Sequence, residues 1–341
     1  MARRLSNSLR LGAVCATVGL VATGAGLAGA RDLPSARHRS SDPTSAHRGA
    51  VGRASARPSN LIVGIGEQKQ EMFSDPRFLR LHLRYARRTV AWDALDSSWQ
   101  RQELDRWLRA AHADGVSPLL TFDHSRVHRR HRMLPSPARL ARVLRILRAR
   151  YPWLADFATW NEANFCGEPT CHHPDLVAAY YRALRRSCPG CHVLGAELLD
   201  EPNMVGWVHA FQRAARVDPH YWGLHNYIDA NRLSSHSTVA LLHATRGEIW
   251  FTETAGLVAR RNASHVHFTE SAAHAARVTR FLLDRLARIG PRVTRVYLYE
   301  WNAASTSDAW DSALIGPMGH ARPAYHVLER HLLGTPTPSA G

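Results

Sequence analysis

Short apolar runs rich in branched and aromatic side chains alternate along this chain with stretches whose apolar residues keep helical spacing. The runs are Leu61–Ile65, Leu83–Val90, Pro118–Phe122, Phe157–Trp160, Val193–Ala196, Tyr221–Leu224, Ile249–Thr252 and Val293–Leu298, eight candidate strands in all. Between them, Leu104, Trp107, Leu108 and Ala111 recur at helical intervals, with Ser97 or Ser98 placed to cap the start and Gly115 to end it. Leu140, Val143, Leu144 and Leu147 repeat the pattern behind Ser136-Pro137, an N-cap followed by proline at the first helical position. Val177, Tyr180, Tyr181 and Leu184 form a third such stripe, and Val278, Phe281, Leu282 and Leu286 a fourth.

Eight alternations over about 270 residues amount to roughly 34 residues per unit, the scale of a single-domain α/β fold of the (β/α)8 TIM barrel type. This domain is expected to span 61–333, leaving 334–341 as a tail. A doubly wound open sheet is disfavoured, because Gly64-Ile65-Gly66 runs into Glu67-Gln68 and not into a glycine-rich phosphate loop.

The ends of the chain read differently. Residues 1–30 open with arginines, continue with an apolar run from Leu11 to Leu27 and close on Ala28-Gly29-Ala30. That is the layout of a secretory signal peptide cleaved near Ala30, which makes the expected product secreted, with no membrane partner once cleaved. From Arg31 to about Asn60 the chain holds Ser, Ala, Pro, Arg and His with almost no large apolar side chains. It lacks the surface to offset its ordering entropy and reads as a disordered basic linker.

The formal charge of the 341 residues is +16, and it is almost wholly arginine, Lys69 being the single lysine. A basic signal and linker carry a good share of it. The folded-part arginines, such as Arg101, Arg106, Arg109, Arg142, Arg145 and Arg148, scatter over helices as solvated faces, so no nucleic-acid partner is expected.

In a barrel the chemistry sits where strands end. Here they end in Glu67-Gln68, Arg87-Arg88 and Trp92-Asp93, Asp123-His124, Asn161-Glu162, Glu197, His225-Asn226-Tyr227, Glu253 and Glu300-Trp301-Asn302. A lone carboxylate at a strand end is more often a cap or an arginine partner than a catalyst. Carboxylates, amides and indoles converging on one rim suit a sugar, which needs aromatic platforms, groups for its hydroxyls and two carboxyl groups across the scissile bond.

Trp160-Asn161-Glu162 ending the fourth run and Trp250-Phe251-Thr252-Glu253 ending the seventh resemble the clan A retaining glycoside hydrolases on a TIM barrel. Within that clan the chain is most similar to family 39-like β-glycosidases and compact β-1,3-glucanases. The resemblance implies Glu162 as acid/base and Glu253 as nucleophile. It implies Asn161 beside the reacting carbon, Arg87 or the adjacent Arg88 positioning the nucleophile, and Trp92, His124, His225, Tyr227 and Trp301 among the substrate-binding residues. The implied activity is retaining hydrolysis of an oligo- or polysaccharide without a cofactor. A non-catalytic carbohydrate-binding barrel at the cell surface is the rival, and the presence of both carboxylates favours the enzyme.

Four cysteines, Cys166, Cys171, Cys188 and Cys191, superficially resemble a zinc site. A helix from about Pro174 to Arg186 would hold the two pairs roughly 20 Å apart, which favours local disulfides Cys166–Cys171 and Cys188–Cys191. Among the 21 histidines no H-x-x-x-H helix with a nearby glutamate appears, so no metal is expected. Asn262-Ala263-Ser264 fits a glycosylation acceptor.

Overall fold

The computed structural model describes residues 61–261 and 267–334. The signal peptide, the linker, Asn262 and all of the tail beyond Gly334 lie outside the described residues.

All eight runs form parallel strands of one closed barrel. These are β1 (Ile62–Gly66), β2 (Tyr85–Ala91), β3 (Ser117–Asp123), β4 (Asp156–Ala158), β5 (His192–Leu199), β6 (Tyr221–His225), β7 (Glu248–Thr254) and β9 (Val293–Tyr299), and β9 pairs back onto β1. A two-stranded ribbon of β8 (Ala259–Arg260) and β10 (Trp310–Asp311) lies over the chain following β7 and β9. The strands are apolar on both faces because each is covered twice, by the barrel interior and by a helical layer. Leu119, Ala158, Leu194, Trp250 and Tyr297 fill the interior as one buried cluster. The Arg295 guanidinium lies 3.6 Å from the Trp250 ring centroid.

The helices are α1 (Pro76–Arg80), α2 (Ser98–Ala113), α3 (Pro137–Arg150), α4 (Pro174–Ser187), α5 (Met204–Ala215), α6 (Tyr227–Asn231), α7 (His236–Ala244), α8 (Ala272–Asp284) and α9 (Pro323–Leu333). The long ones bury the stripes that their sequences present, for example Leu140, Val143, Leu144 and Leu147 of α3. Ser136 caps α3 by accepting from the Arg139 amide at 3.2 Å. Gly115, just beyond α2, takes a φ of +65°, the left-handed conformation that ends helices at little cost for glycine.

Both cysteine pairs are disulfides. Cys166–Cys171, with Cα atoms 4.8 Å apart, closes the loop behind β4, and Cys188–Cys191 ties the turn between α4 and β5. Among the described residues no helix is long and apolar enough to cross a membrane.

Candidate active site

The rim of the barrel is organised around one buried arginine. Arg87 on β2 is 0% exposed and spends every nitrogen on rim residues. Its Nη1 donates to Glu253 Oε2 at 2.7 Å and its Nη2 to Asn161 Oδ1 at 2.7 Å. Its Nε donates to Glu197 Oε1 at 2.9 Å, and Nη2 also meets Glu197 Oε2. Thr121 adds a hydroxyl donor to Glu197 Oε1 at 2.8 Å. The neighbouring Arg88 points the other way, to the Gln68 carbonyl at 2.7 Å and to Glu103, so Arg87 is the arginine that faces the site.

Glu197 is wholly buried, and room for it is made by Gly223 on β6. A Cβ there would stand 2.6 Å from Glu197 Cγ. Burial alone would raise the Glu197 carboxyl, but the Arg87 charge and then the His225 hydrogen bond outweigh it and hold it at about 2. His225, also buried, sits between two carboxylates, with Nδ1 3.1 Å from Glu162 Oε1 and Nε2 3.4 Å from Glu197 Oε2. Burial opposes its charge, yet the Glu253 charge and the Glu162 and Glu197 contacts push it up to about 9, so it is an imidazolium at neutral pH.

Glu162 follows Asn161 off β4 with a φ of +41°, a left-handed conformation that is uncommon for a residue with a Cβ. The ladder continues into this turn: the Asn161 amide donates to the Phe122 carbonyl at 2.8 Å and the Ala163 amide to the Glu197 carbonyl at 2.8 Å. The side chains of Glu162 and Glu253 keep 17% and 16% of their surface exposed, unlike the buried charges around them. Carboxylate oxygens of Glu162 and Glu253 and a His225 ring nitrogen all lie within 4.8 Å of one another. Tyr227, at the start of α6, donates to Glu253 Oε1 at 3.0 Å. Glu253 thus has a donor on each oxygen, one cationic and one neutral.

Six expected residues therefore meet: Glu162, Glu253, Asn161, Arg87, His225 and Tyr227. His124 stands in an adjoining cluster. Its Nδ1 lies 2.8 Å from Glu168 Oε1 and 3.0 Å from Asp123 Oδ1. These two partners outweigh burial and raise it to about 10.

Trp301 requires correction as a substrate-binding residue. Trp301 is 1% exposed, wedged edge-on between Phe78 at 5.5 Å and Tyr325 at 5.9 Å, with its Nε1 on Asp75 at 3.1 Å. Trp92 is 8% exposed and packs in the same core. The Trp301 indole leaves no ring face for a sugar, because it is used to seal the barrel against α1 and α9. An indole that does reach the site is Trp310 on β10, partly exposed and edge-on to Tyr227 at 4.8 Å. It falls outside every strand-end pattern, so no periodicity pointed to it.

Glu197 was visible as a strand end but not as a partner of Arg87, and Glu168 was hidden between two cysteines. On the β1–β9 side, Lys69 Nζ lies 3.3 Å from Glu300 Oε2 and 3.6 Å from Glu67 Oε1. Burial and then the nearby Glu67 raise Glu300 to about 8.

No sequence family and no curated protein matches this chain. Solved structures do. A family 39 glycoside hydrolase from Bacteroides cellulosilyticus WH2 matches with a TM-score of 0.53 at 12% identity, over 80% of this chain and 63% of its own. A triply substituted endo-β-1,4-glucanase from Xanthomonas axonopodis pv. citri gives 0.54 at 13%, over 80% and 99%. An endo-1,4-β-xylanase from Caldicellulosiruptor owensensis gives 0.56 at 12%, over 79% and 96%. The chain spans less than two thirds of the family 39 structure and nearly all of the other two. At these identities the likeness is one of fold: the chain shares its (β/α)8 barrel with the clan A glycoside hydrolases.

Proposed function

We propose that this chain is an exported retaining β-glycoside hydrolase. The observation that carries this reading is the pairing of Glu162 and Glu253 across the rim within 4.8 Å. That spacing lies near the ~5–5.5 Å of retaining enzymes and well short of the ~6.5–9.5 Å that leaves room for water in inverting ones. Their hydrogen-bond partners differ: Glu162 meets His225 Nδ1 at 3.1 Å. Glu253 is held on both oxygens by Arg87 and Tyr227, which orients it as a nucleophile.

In the first step a Glu253 oxygen bonds to the anomeric carbon while the bond to the leaving oxygen breaks and Glu162 gives that oxygen its proton. In the second, Glu162 takes a proton from water as the water oxygen bonds to the anomeric carbon and Glu253 departs. Arg87 holds the Asn161 carbonyl oxygen, leaving the amide NH2 for a sugar hydroxyl, and Trp310 offers an aromatic surface at the mouth. The natural partner is an oligo- or polysaccharide, and the steps use no cofactor.

The test is a screen of the purified chain against aryl β-glycosides and β-linked polysaccharides, repeated with Glu162→Gln and Glu253→Gln. Both variants are expected to lose hydrolysis while staying folded, and a fluorosugar inhibitor should label Glu253. Near-native turnover by either variant would overturn the assignment. Saccharide binding without turnover by the native chain would move the reading to a binding barrel.

A further inference from the structure

The loop between β3 and α3 stands on the same rim as Glu162 and Glu253, since the parallel strands all end there. It holds Arg126, His128, Arg129, Arg130, His131 and Arg132, and from Ser125 to Ser136 it contains no acidic residue.

Its neighbours on both sides hold it in place. Arg132 Nη1 donates to the Gly167 carbonyl at 2.8 Å, in the loop that follows Glu162 and is closed by Cys166–Cys171. Gly167 lets that loop close tightly, since a Cβ there would fall 1.9 Å from the Phe165 ring. The His131 ring lies 4.2 Å from that of His124, and His124 Nδ1 meets Glu168 of the same closed loop at 2.8 Å. On the β2 side, Arg130 Nη1 lies 3.3 Å from Asp93 Oδ2, which also accepts from Ser125 Oγ at 2.7 Å.

The charge of the loop is only partly matched. Arg130 is answered by Asp93, and Arg126 by Glu103 at 3.1 Å, but Glu103 is already shared with Arg88. Arg129 and Arg132 are exposed, and among the described residues neither has a carboxylate within ion-pair reach. Crowding like charges on a loop so fixed is unfavourable until an anion joins them. At its edge Trp99, in the first turn of α2, is 49% exposed, with the Arg126 guanidinium 4.6 Å from its ring centroid. Guanidinium forks match carboxylate and sulfate, and an open indole face suits the C–H face of a sugar. The centre offers an anion no such place: Arg87 is buried and already engaged by Glu197, Glu253 and Asn161.

We propose that this loop and Trp99 form an outer subsite for acidic units of the saccharide, so that the substrate class is a β-linked polysaccharide bearing carboxylate or sulfate groups. This rests on the glycosidase reading. Arg129 and Arg132 take the anionic groups, Trp99 takes a sugar face, and Glu162 and Glu253 act on a bond further in.

Three derivatives of one β-1,4-glucan separate charge from sugar: carboxymethylcellulose, cellulose sulfate and neutral hydroxyethylcellulose. With the polymers immobilised, at about 50 mM salt the native chain should bind both anionic ones at least ~10-fold more tightly than the neutral one, and the difference should vanish at about 500 mM. The stronger anionic arm names the group. Arg129→Gln, Arg132→Gln should lose ~10-fold on the anionic polymers and nothing on the neutral one, whereas Arg142→Gln, Arg145→Gln, an equal change of charge on the exposed face of α3, should lose ~2-fold or less. Should the first double variant fail to fold without the Gly167 contact, Arg129→Gln alone should lose ~3-fold.

Equal binding of neutral and anionic polymers, or equal losses in the two double variants, overturns the inference. So does tighter binding of single-stranded DNA through Arg129 and Arg132, which would make the loop a nucleic-acid surface. Binding is read without turnover, so charge-selective binding by a chain that cleaves nothing would count against the glycosidase reading alone. In a chain that cleaves, Arg129→Gln, Arg132→Gln should raise KM for the anionic polymer ~10-fold and leave hydrolysis of a short neutral aryl β-glycoside unchanged. A matching loss on the aryl glycoside would place these arginines at the centre and overturn the outer subsite.

Discussion

Arg87 and Glu197 form a wholly buried ion pair beneath the two carboxylates that open to solvent. An isolated charge in such a place is costly, so each residue is tolerable only because of the other. Arg87→Met should strand Glu197 and cost about 3–5 kcal/mol of stability. Arg87→Lys keeps the charge but loses the fork that reaches Glu197, Glu253 and Asn161 together, and should lower kcat/KM by on the order of 100-fold with a smaller stability loss. Denaturant unfolding and steady-state kinetics on both variants check this, and a Lys variant with native kinetics would contradict it.

The Tyr227 hydroxyl donates to Glu253 Oε1 at 3.0 Å. Tyr227→Phe removes that donor and little else. If Glu253 is the nucleophile, kcat should fall by about 10-fold, roughly one hydrogen bond to a charged group, with KM little changed. A change confined to KM would instead place Tyr227 against the substrate.

Stability should depend on pH at both ends. The Glu197 carboxyl is depressed to about 2, so its contribution is complete above the unfolded value near ~4.3 and is lost as pH falls toward 2. His225 and His124 are raised to about 9 and about 10. Their contribution is complete below the unfolded value near ~6.5 and is lost as pH rises through 9 and 10. Thermal unfolding from pH 2 to 10 should show its highest Tm between about 4.5 and 6.5. A Tm still rising from 7 to 9 would show that the histidines are not charged in the fold.

Two tryptophans should separate packing from recognition. Trp301→Ala opens a cavity in a sealed contact with Phe78 and Tyr325 and should cost about 3–5 kcal/mol of stability. Trp310→Ala should leave the barrel nearly as stable and raise KM for a polysaccharide several-fold, since stacking of a ring on a sugar is worth about 1 kcal/mol. The reverse outcome would restore Trp301 to the binding surface.

Opening the Cys166–Cys171 loop by the paired serine variant should lower stability by about 2 kcal/mol on the chain-entropy account of so short a loop. Thermal denaturation of oxidised and substituted protein measures it. A loss near zero would mean that the contacts of Glu168 and Phe165 alone fix the loop.

The barrel was legible because each strand is buried on both faces and each long helix keeps one apolar stripe, so the two periods alternate cleanly. Glu162 and Glu253 were legible because the residues next to them resemble a known pattern. Arg87 and Arg88 were not separable in sequence, since alternation puts neighbours on opposite faces and only the register onto Leu119 and Leu120 of β3 shows which face is inside. Glu197 and Glu168 owe their partners to strands far away in sequence, and no local period encodes such contacts. Trp301 misled because an indole at a strand end can turn toward helices as readily as toward solvent.

Lys69 offers a last consequence. A chain with one lysine has one side-chain amine, and the fold sets it at the barrel mouth between Glu67 and Glu300, 23% exposed. Burial would discharge it, but Glu67 and then Glu300 overrule that and raise its affinity for its proton. An acylating reagent therefore meets a single, sluggish lysine whose reactivity reports on those two carboxylates. The scarcity of lysine turns the opening of the site into its own probe.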